Sequence, residues 1–341
     1  MITPRLKVVG LHIEGLRALR RVDWPADGMG WGGKVPDMVM VGGVNGSGKT
    51  TLLDFIGHIA RRLQNTLHSV PVEEGTRAWI DLNIASTETG ETTLRVLMGD
   101  EAFIENNQTE DCVAFSDTTP FLYIKGPALG NVRKVLSREG SFTASDFPSV
   151  LYLPTDRSLV IPTEQYKAAG KLEAASDFFF RFQPATKWKQ SLEALLYGAR
   201  WADLNAKEEG RPQEATHFAS YAEAFQAFFG DAKSLVWETG ELFVKIAETG
   251  ERHPLAELSS GEKQALILAA ELIRRWRPGS LILIDEPELH FHSSWQTIFW
   301  SMLEQWQKER GGQVIVATQS THLFRVGEPG TKVLLGSDGL Q

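Results

Sequence analysis

The residues in this chain best equipped for chemistry form a glycine-rich loop. Met38–Leu53 reads MVMVGGVNGSGKTTLL, and Gly43, Gly48, Lys49 and Thr50 meet the spacing G-x-x-x-x-G-K-[ST]. Glycines let successive backbone N–H groups, here those of Asn45, Gly46, Ser47 and Gly48, turn inward as a concave anion nest. A helix opening at Lys49 adds its unused N–H groups and the positive end of its dipole, with Thr50 and Thr51 in its first turn. Lys49 brings a point charge to the β- and γ-phosphates of a nucleotide, and the Thr50 hydroxyl can take one position on Mg²⁺.

Three further clusters lie downstream. Leu281–Asp285 is a run of apolar residues ending in Asp285-Glu286-Pro287, the pattern of a central parallel strand with two carboxylates at its C-terminal end. Ligands bind at that edge of open α/β sheets. Asp285 is placed to hold Mg²⁺, and Glu286 to orient and deprotonate a water attacking a γ-phosphate. Leu258–Gln264, LSSGEKQ, sets Ser259, Ser260, Gly261 and Glu262 at a helix N-terminus. That arrangement is either a plain N-cap or an anion site. Thr318-Gln319-Ser320-Thr321-His322 follows another buried run, Gln313–Ala317.

These clusters need a scaffold. The periodicity predicts strands over Leu6–Ile13, Leu19–Trp24, Val39–Val41, Arg77–Ala85, Thr92–Met98, Phe121–Lys125, Val150–Leu153, Leu281–Asp285, Gln313–Ala317 and Lys332–Leu335. Helices are expected from Lys49 to about Leu67, following Leu258–Gln264 with an apolar face over Ala265–Trp276 and a stop at Arg277-Pro278-Gly279, and from about Ser294 to Lys308. Strands following the phosphate loop without strict strand–helix alternation imply an antiparallel layer beside the main sheet. The expected class is α/β, with a mixed or parallel central sheet, an antiparallel β layer and a small inserted helical lobe. Residues 1–157 and 234–341 would form the two halves of the head, and 158–233 the lobe. Within the lobe, Trp188, Leu192, Leu195 and Ala199 share one helix face, and Phe218, Ala222, Phe225 and Phe229 another. Phe178, Phe179, Phe180 and Phe182 fit core packing better than an exposed base-stacking platform. The polar run 207–213 reads as a loop.

The chain has 341 residues, 42 % hydrophobic and 23 % charged, as in a soluble globular protein. A net charge of −8 argues against a wholly basic nucleic-acid coat, and the single cysteine excludes an intramolecular disulfide and a cysteine-based zinc site. No apolar run has the length of a membrane span and the N-terminus lacks signal-peptide features, so a cytoplasmic location is expected.

With four clusters in this order, the sequence resembles the ABC-type ATPases. Gly43–Thr50 corresponds to their Walker A, Leu258–Glu262 to the signature loop, Ile282–Glu286 to Walker B with its catalytic glutamate, and Thr318–Ser320 to the switch loop. Asp285–Gln296, DEPELHFHSSWQ, is similar to the RecF, SMC and OLD-like branch, which includes AAA-family ATP-binding proteins of anti-phage defence. The resemblance implies ATP and Mg²⁺ as cofactors, with Thr50 and Asp285 on the metal and Lys49, Glu286 and Gln319 acting in hydrolysis. It also implies a head-to-tail homodimer in which each nucleotide touches Gly43–Thr51 of one copy and Ser259–Glu262 of the other. His290 would fall in the loop crossing that interface.

The chain departs from the family pattern at Gln319, where histidine is common. Glutamine can hydrogen-bond a phosphate or water but carries no charge, so slow, switch-like turnover is expected. Ser293 replaces a frequent proline. No glutamine is evident at the loop leading into the lobe, where Tyr152–Arg157 stands; Gln165 is the nearest candidate. Without a nuclease domain or coiled-coil arm, the chain is expected to control a separately encoded effector protein, a nuclease by analogy with Septu-like and retron-associated systems. The alternative is a RecF-like repair clamp binding DNA through Arg61, Arg62, Arg133, Lys134, Arg138, Lys187, Lys189, Arg274 and Arg275.

Overall fold

The computed structural model describes residues 5–25, 35–64, 70, 72–86, 90–115, 123–136, 150–155, 192–214, 216–289, 291–326 and 331–336. Gln165, the Phe178–Phe182 cluster, Trp188 and His290 lie outside these residues, as do Arg138, Lys187 and Lys189.

In chain order, β1 (Arg5–Leu16) and β2 (Leu19–Trp24) form a hairpin, β3 (Met38–Gly43) leads into the phosphate loop, and α1 (Lys49–Gln64) follows it. Next come β4 (Arg77–Ser86), β5 (Gly90–Met98), α2 (Glu101–Asn106), β6 (Cys112–Phe115), β7 (Tyr123–Lys125), α3 (Ala128–Leu136) and β8 (Val150–Leu153). A helical pair, α4 (Leu192–Glu208) and α5 (His217–Phe229), precedes a small meander of β9 (Lys233–Glu238), β10 (Glu241–Ile246) and β11 (Arg252–His253). The chain then runs through α6 (Ser260–Arg275), β12 (Leu281–Asp285), α7 (Ser293–Arg310), β13 (Gln313–Thr318), α8 (Thr321–Val326) and β14 (Lys332–Leu335).

The central sheet has the order β14-β3-β13-β12-β8 and every pairing in it is parallel. Its strands carry almost unbroken apolar runs because both faces are covered. Val39, Val41, Leu281, Leu283 and Ile315 point to one core, shared with α1 and the neighbouring β layer. Met40, Ile282, Ile284, Val314 and Val316 point to the other, shared with α5, α6 and α7. This alternation follows from the period of two along a strand.

The second sheet, β2-β1-β4-β5-β6-β7, is the expected antiparallel layer, except that β5 and β6 run parallel. Buried Gln313 ties the two sheets together: its side chain accepts from the Val8 backbone N–H at 2.9 Å and donates to the carbonyls of Val8 and Pro36 at 3.1 and 3.0 Å. These contacts satisfy backbone groups near the β1 irregularity at Val8/Gly10.

A third core joins α4, α5, β9 and β10 to Leu266 and Ala270 of α6. Because Ala265, Leu268 and Leu272 of the same helix face the central sheet, α6 is shared between two cores. The β9–β11 meander and β6 were not evident from periodicity. Both are short, and β9 and β10 are only half-buried, so their apolar alternation is weak. The run 207–213 is helical at its start and ends in a single 3-10 turn.

Candidate nucleotide-binding site

Parallel pairing brings the clusters to one edge. Gly42 of β3 lies opposite Thr318 of β13, Ala317 opposite Asp285 of β12, and Ile284 opposite Leu153 of β8. Whatever follows each strand therefore emerges at the same level.

From β3 emerges the phosphate loop. Gly48 has φ +95°, and a Cβ there would come within 2.3 Å of Leu19 Cδ2 in the β1–β2 hairpin, so only glycine fits. Val44, Asn45 and Gly46 are exposed, while Ser47, Gly48 and Lys49 are buried. Lys49 Nζ donates to the carbonyls of Gly43 and Val44 at 2.9 and 3.1 Å. Among the described residues, the buried Ser47 Oγ has no hydrogen-bond partner. The first N–H groups of α1 have no intrahelical acceptor. A buried ammonium, an orphan hydroxyl and free helix-end donors converge on the loop, and a phosphate group fits this donor set.

From β12 emerge the carboxylates. Asp285 is fully buried, and its Oδ2 accepts from Thr50 Oγ1 at 2.7 Å and from Thr155 Oγ1 at 2.5 Å. Two hydroxyls and a carboxylate from three separate segments form an all-oxygen set suited to Mg²⁺. Thr155 lies just past β8, in the stretch where no metal-facing residue could be assigned from sequence. Its position opposite the Asp285-Glu286 turn comes from the β8–β12 pairing alone.

Glu286 has φ +45°, an uncommon conformation for a side-chain-bearing residue, and its N–H donates to Ala317 O at 2.8 Å. Its Oε1 lies 3.6 Å from Lys49 Nζ. Burial raises the Glu286 carboxyl above its ordinary value, and the charges of Asp285 and Glu288 push the same way, against the lowering effect of Lys49. A raised carboxyl is the better proton acceptor.

From β13 emerges the switch loop. Gln319 is exposed, and its backbone N–H donates to buried Glu288. His322 is hydrogen-bonded to Thr297 of α7 at 2.9 Å. Thus Gly43–Thr51, Asp285, Glu286 and Gln319 gather along one sheet edge, and the structure adds Thr155 and Glu288.

Ser259–Glu262 form a different arrangement. Ser259 caps α6 by accepting from the Glu262 N–H at 3.3 Å, while Glu262 Oε2 accepts from the Ser259 N–H at 2.8 Å and its Oε1 from Lys233 at 2.5 Å. Glu262 therefore faces inward, whereas Ser259 and Ser260 are exposed. Among the described residues, no hydrogen bond or ion pair joins 258–262 to 43–51 of the same copy.

Residues 185–325 match an AAA-domain family. Its description is "AAA domain, putative AbiEii toxin, Type IV TA system". The match takes in α6, β12 and β13 and leaves out the phosphate loop, which stands on its own residues. No curated protein matches the chain. Among solved structures, the chain superposes on an SMC head bound to the C-winged helix domain of ScpA with TM-score 0.42 and 12 % identity, covering 93 % of this chain and 91 % of that one. The SMC head domain from Thermotoga maritima gives 0.42 and 14 %, covering 97 % and 93 %. An Smc head with an extended coiled coil, bound to the C-terminal domain of ScpA derived from Pyrococcus furiosus, gives 0.40 and 12 %, covering 94 % and 91 %. These superpositions are too loose to carry chemistry, so the site rests on the geometry above.

Several candidate DNA-contacting cations lie elsewhere than a surface groove. Arg62 is buried against the Phe115 ring. Arg274 and Arg275 are largely buried in ion pairs with Glu271 at 2.8 and 2.5 Å.

Proposed function

We propose that the protein is a Mg²⁺-dependent ATPase of ABC type that closes into a homodimer around ATP and thereby controls a separately encoded effector protein. One observation carries the dimer: a cluster of donors and carboxylates gathered from four strand ends, to which the exposed serine pair at the start of α6 makes no hydrogen bond in the same copy among the described residues. A second copy placed head to tail would bring that pair to the γ-phosphate, adding hydroxyls and helix-end N–H groups.

In this reading Lys49 leaves the loop carbonyls to pair with the β- and γ-phosphates. Thr50, Asp285 and Thr155 would hold Mg²⁺, which supplies charge neutralisation at the phosphates. Glu286 takes the proton of the attacking water. Gln319 hydrogen-bonds that water or the γ-phosphate and, being uncharged, supports slow turnover suited to a switch. The effector class, a nuclease in an anti-phage system, rests on the resemblance to compact stand-alone heads of this branch and on no single residue, and a cytoplasmic location goes with it. The DNA-clamp alternative loses Arg62, Arg274 and Arg275 as phosphate contacts.

Sedimentation or size exclusion with and without ATP tests the proposal. Lys49→Ala should lose nucleotide binding. Glu286→Gln should bind ATP, dimerise and hydrolyse at least about 100-fold more slowly. Parent-like hydrolysis by Glu286→Gln would remove it as the base, and an ATP-bound monomer would remove the dimer.

A further inference from the structure

Glu288 takes no part in the chemistry just proposed, yet it is buried three residues beyond Asp285, inside an already acidic turn. A carboxylate in such a place is costly unless donors surround it. Its Oε1 accepts from Thr318 Oγ1 at 2.6 Å, from the Gln319 N–H at 2.9 Å and from the Ser320 N–H at 3.1 Å. All three donors belong to the loop that presents Gln319.

The contacts continue on both sides. Ser320 N–H also donates to Thr318 Oγ1 at 2.9 Å, and Ser320 Oγ donates to Gln296 Oε1 at 2.5 Å. Gln296 in turn donates to the Phe291 carbonyl at 3.2 Å, and the Phe291 N–H donates to the Glu288 carbonyl at 2.7 Å. This closes a ring through the carboxylate turn, the switch loop and the start of α7. Gln319, exposed at the tip, has its backbone N–H bonded to Glu288.

We propose that Glu288 is a positioning residue, whose carboxylate holds the Gln319 loop against the turn bearing Glu286 so that the two act on one water as a unit. The inference rests on the ATPase reading for its consequence and on the hydrogen bonds for its geometry. Bonds from two backbone amides and a hydroxyl to one carboxylate oxygen give a rigidity that a side chain without an acceptor would lack.

Hydrogen exchange and steady-state kinetics on Glu288→Ala, Glu288→Gln, Thr318→Val and Gln319→Ala test it. In Glu288→Ala the amides of Gln319 and Ser320 should exchange about tenfold faster while those of Val314–Ala317 keep their protection. The kcat should fall about 10- to 100-fold with KM for ATP little changed. Glu288→Gln, which keeps an acceptor oxygen, should recover most of the loss. In a Gln319→Ala background, Glu288→Ala should cost little more, because a residue acting through another is not additive with it.

Unchanged exchange at Gln319 and Ser320, loss spread through β13, or additive kinetic losses would each overturn the proposal. Thr318→Val carries the same exchange test should Glu288→Ala not fold. A parent that never turns over ATP would instead sink the ATPase reading, leaving the exchange result to decide the geometry.

Discussion

Thr155 shows how much one hydroxyl can matter in a buried site. It shares Asp285 Oδ2 with Thr50, at 2.5 and 2.7 Å. Mg²⁺ demands near-octahedral oxygen ligands at short range and binds weakly where one is missing. Thr155→Val keeps the shape and removes the oxygen. The Mg²⁺ concentration at half-maximal ATP binding should then rise about tenfold, read by nucleotide fluorescence across a Mg²⁺ titration. An unchanged midpoint would confine Thr155 to orienting Asp285.

At the scale of elements, α6 joins stability to the site. Its N-terminus is closed by Ser259 and Glu262, with Lys233 of β9 reaching across. Burial pushes the Glu262 carboxyl up, but the bonds from Lys233 and Ser259 outweigh this and hold it below its ordinary value. A carboxyl lowered in the folded state adds stability above its unfolded pKa of about 4.3, and that stability is lost as pH falls through the folded value. Denaturant unfolding should therefore find the parent more stable than Glu262→Gln at pH 7, with the gap shrinking as pH drops below about 4.3. A gap constant with pH would mean that the charge contributes nothing to the cap. The aromatic contacts of Phe228 with Phe291 and of Phe229 with Trp295, centroids 6.0 and 5.1 Å apart, link α5 to the segment after the carboxylate turn.

At the scale of the whole molecule, Gln313 bridges the two large sheets where their shared apolar core meets backbone groups. Its amide serves one N–H and two carbonyls at a fully buried point. Gln313→Leu would leave these groups unpaired, at a cost of roughly 2 kcal/mol or more. A lower unfolding midpoint in urea should record it, and a loss below about 0.5 kcal/mol would mean that the sheets dock by apolar packing alone.

Read alone, the sequence determined the chemistry-bearing segments and most strands of the central sheet. The Gly43–Thr50 spacing is a local code, and buried parallel strands announce themselves as apolar runs. The all-parallel order β14-β3-β13-β12-β8 was not legible, because pairing depends on which strand ends find each other across crossovers of many residues. The same reason hid Thr155 and Glu288. Thr155 becomes a neighbour of Asp285 only through the β8–β12 register, and Glu288 reads as one more acid in a turn until β13 delivers three donors to it. The β9–β11 meander escaped because half-buried short strands leave little periodic trace. Local spacing pointed to the residues proposed to hold phosphate, whereas long-range pairing decided which side chains stand behind them.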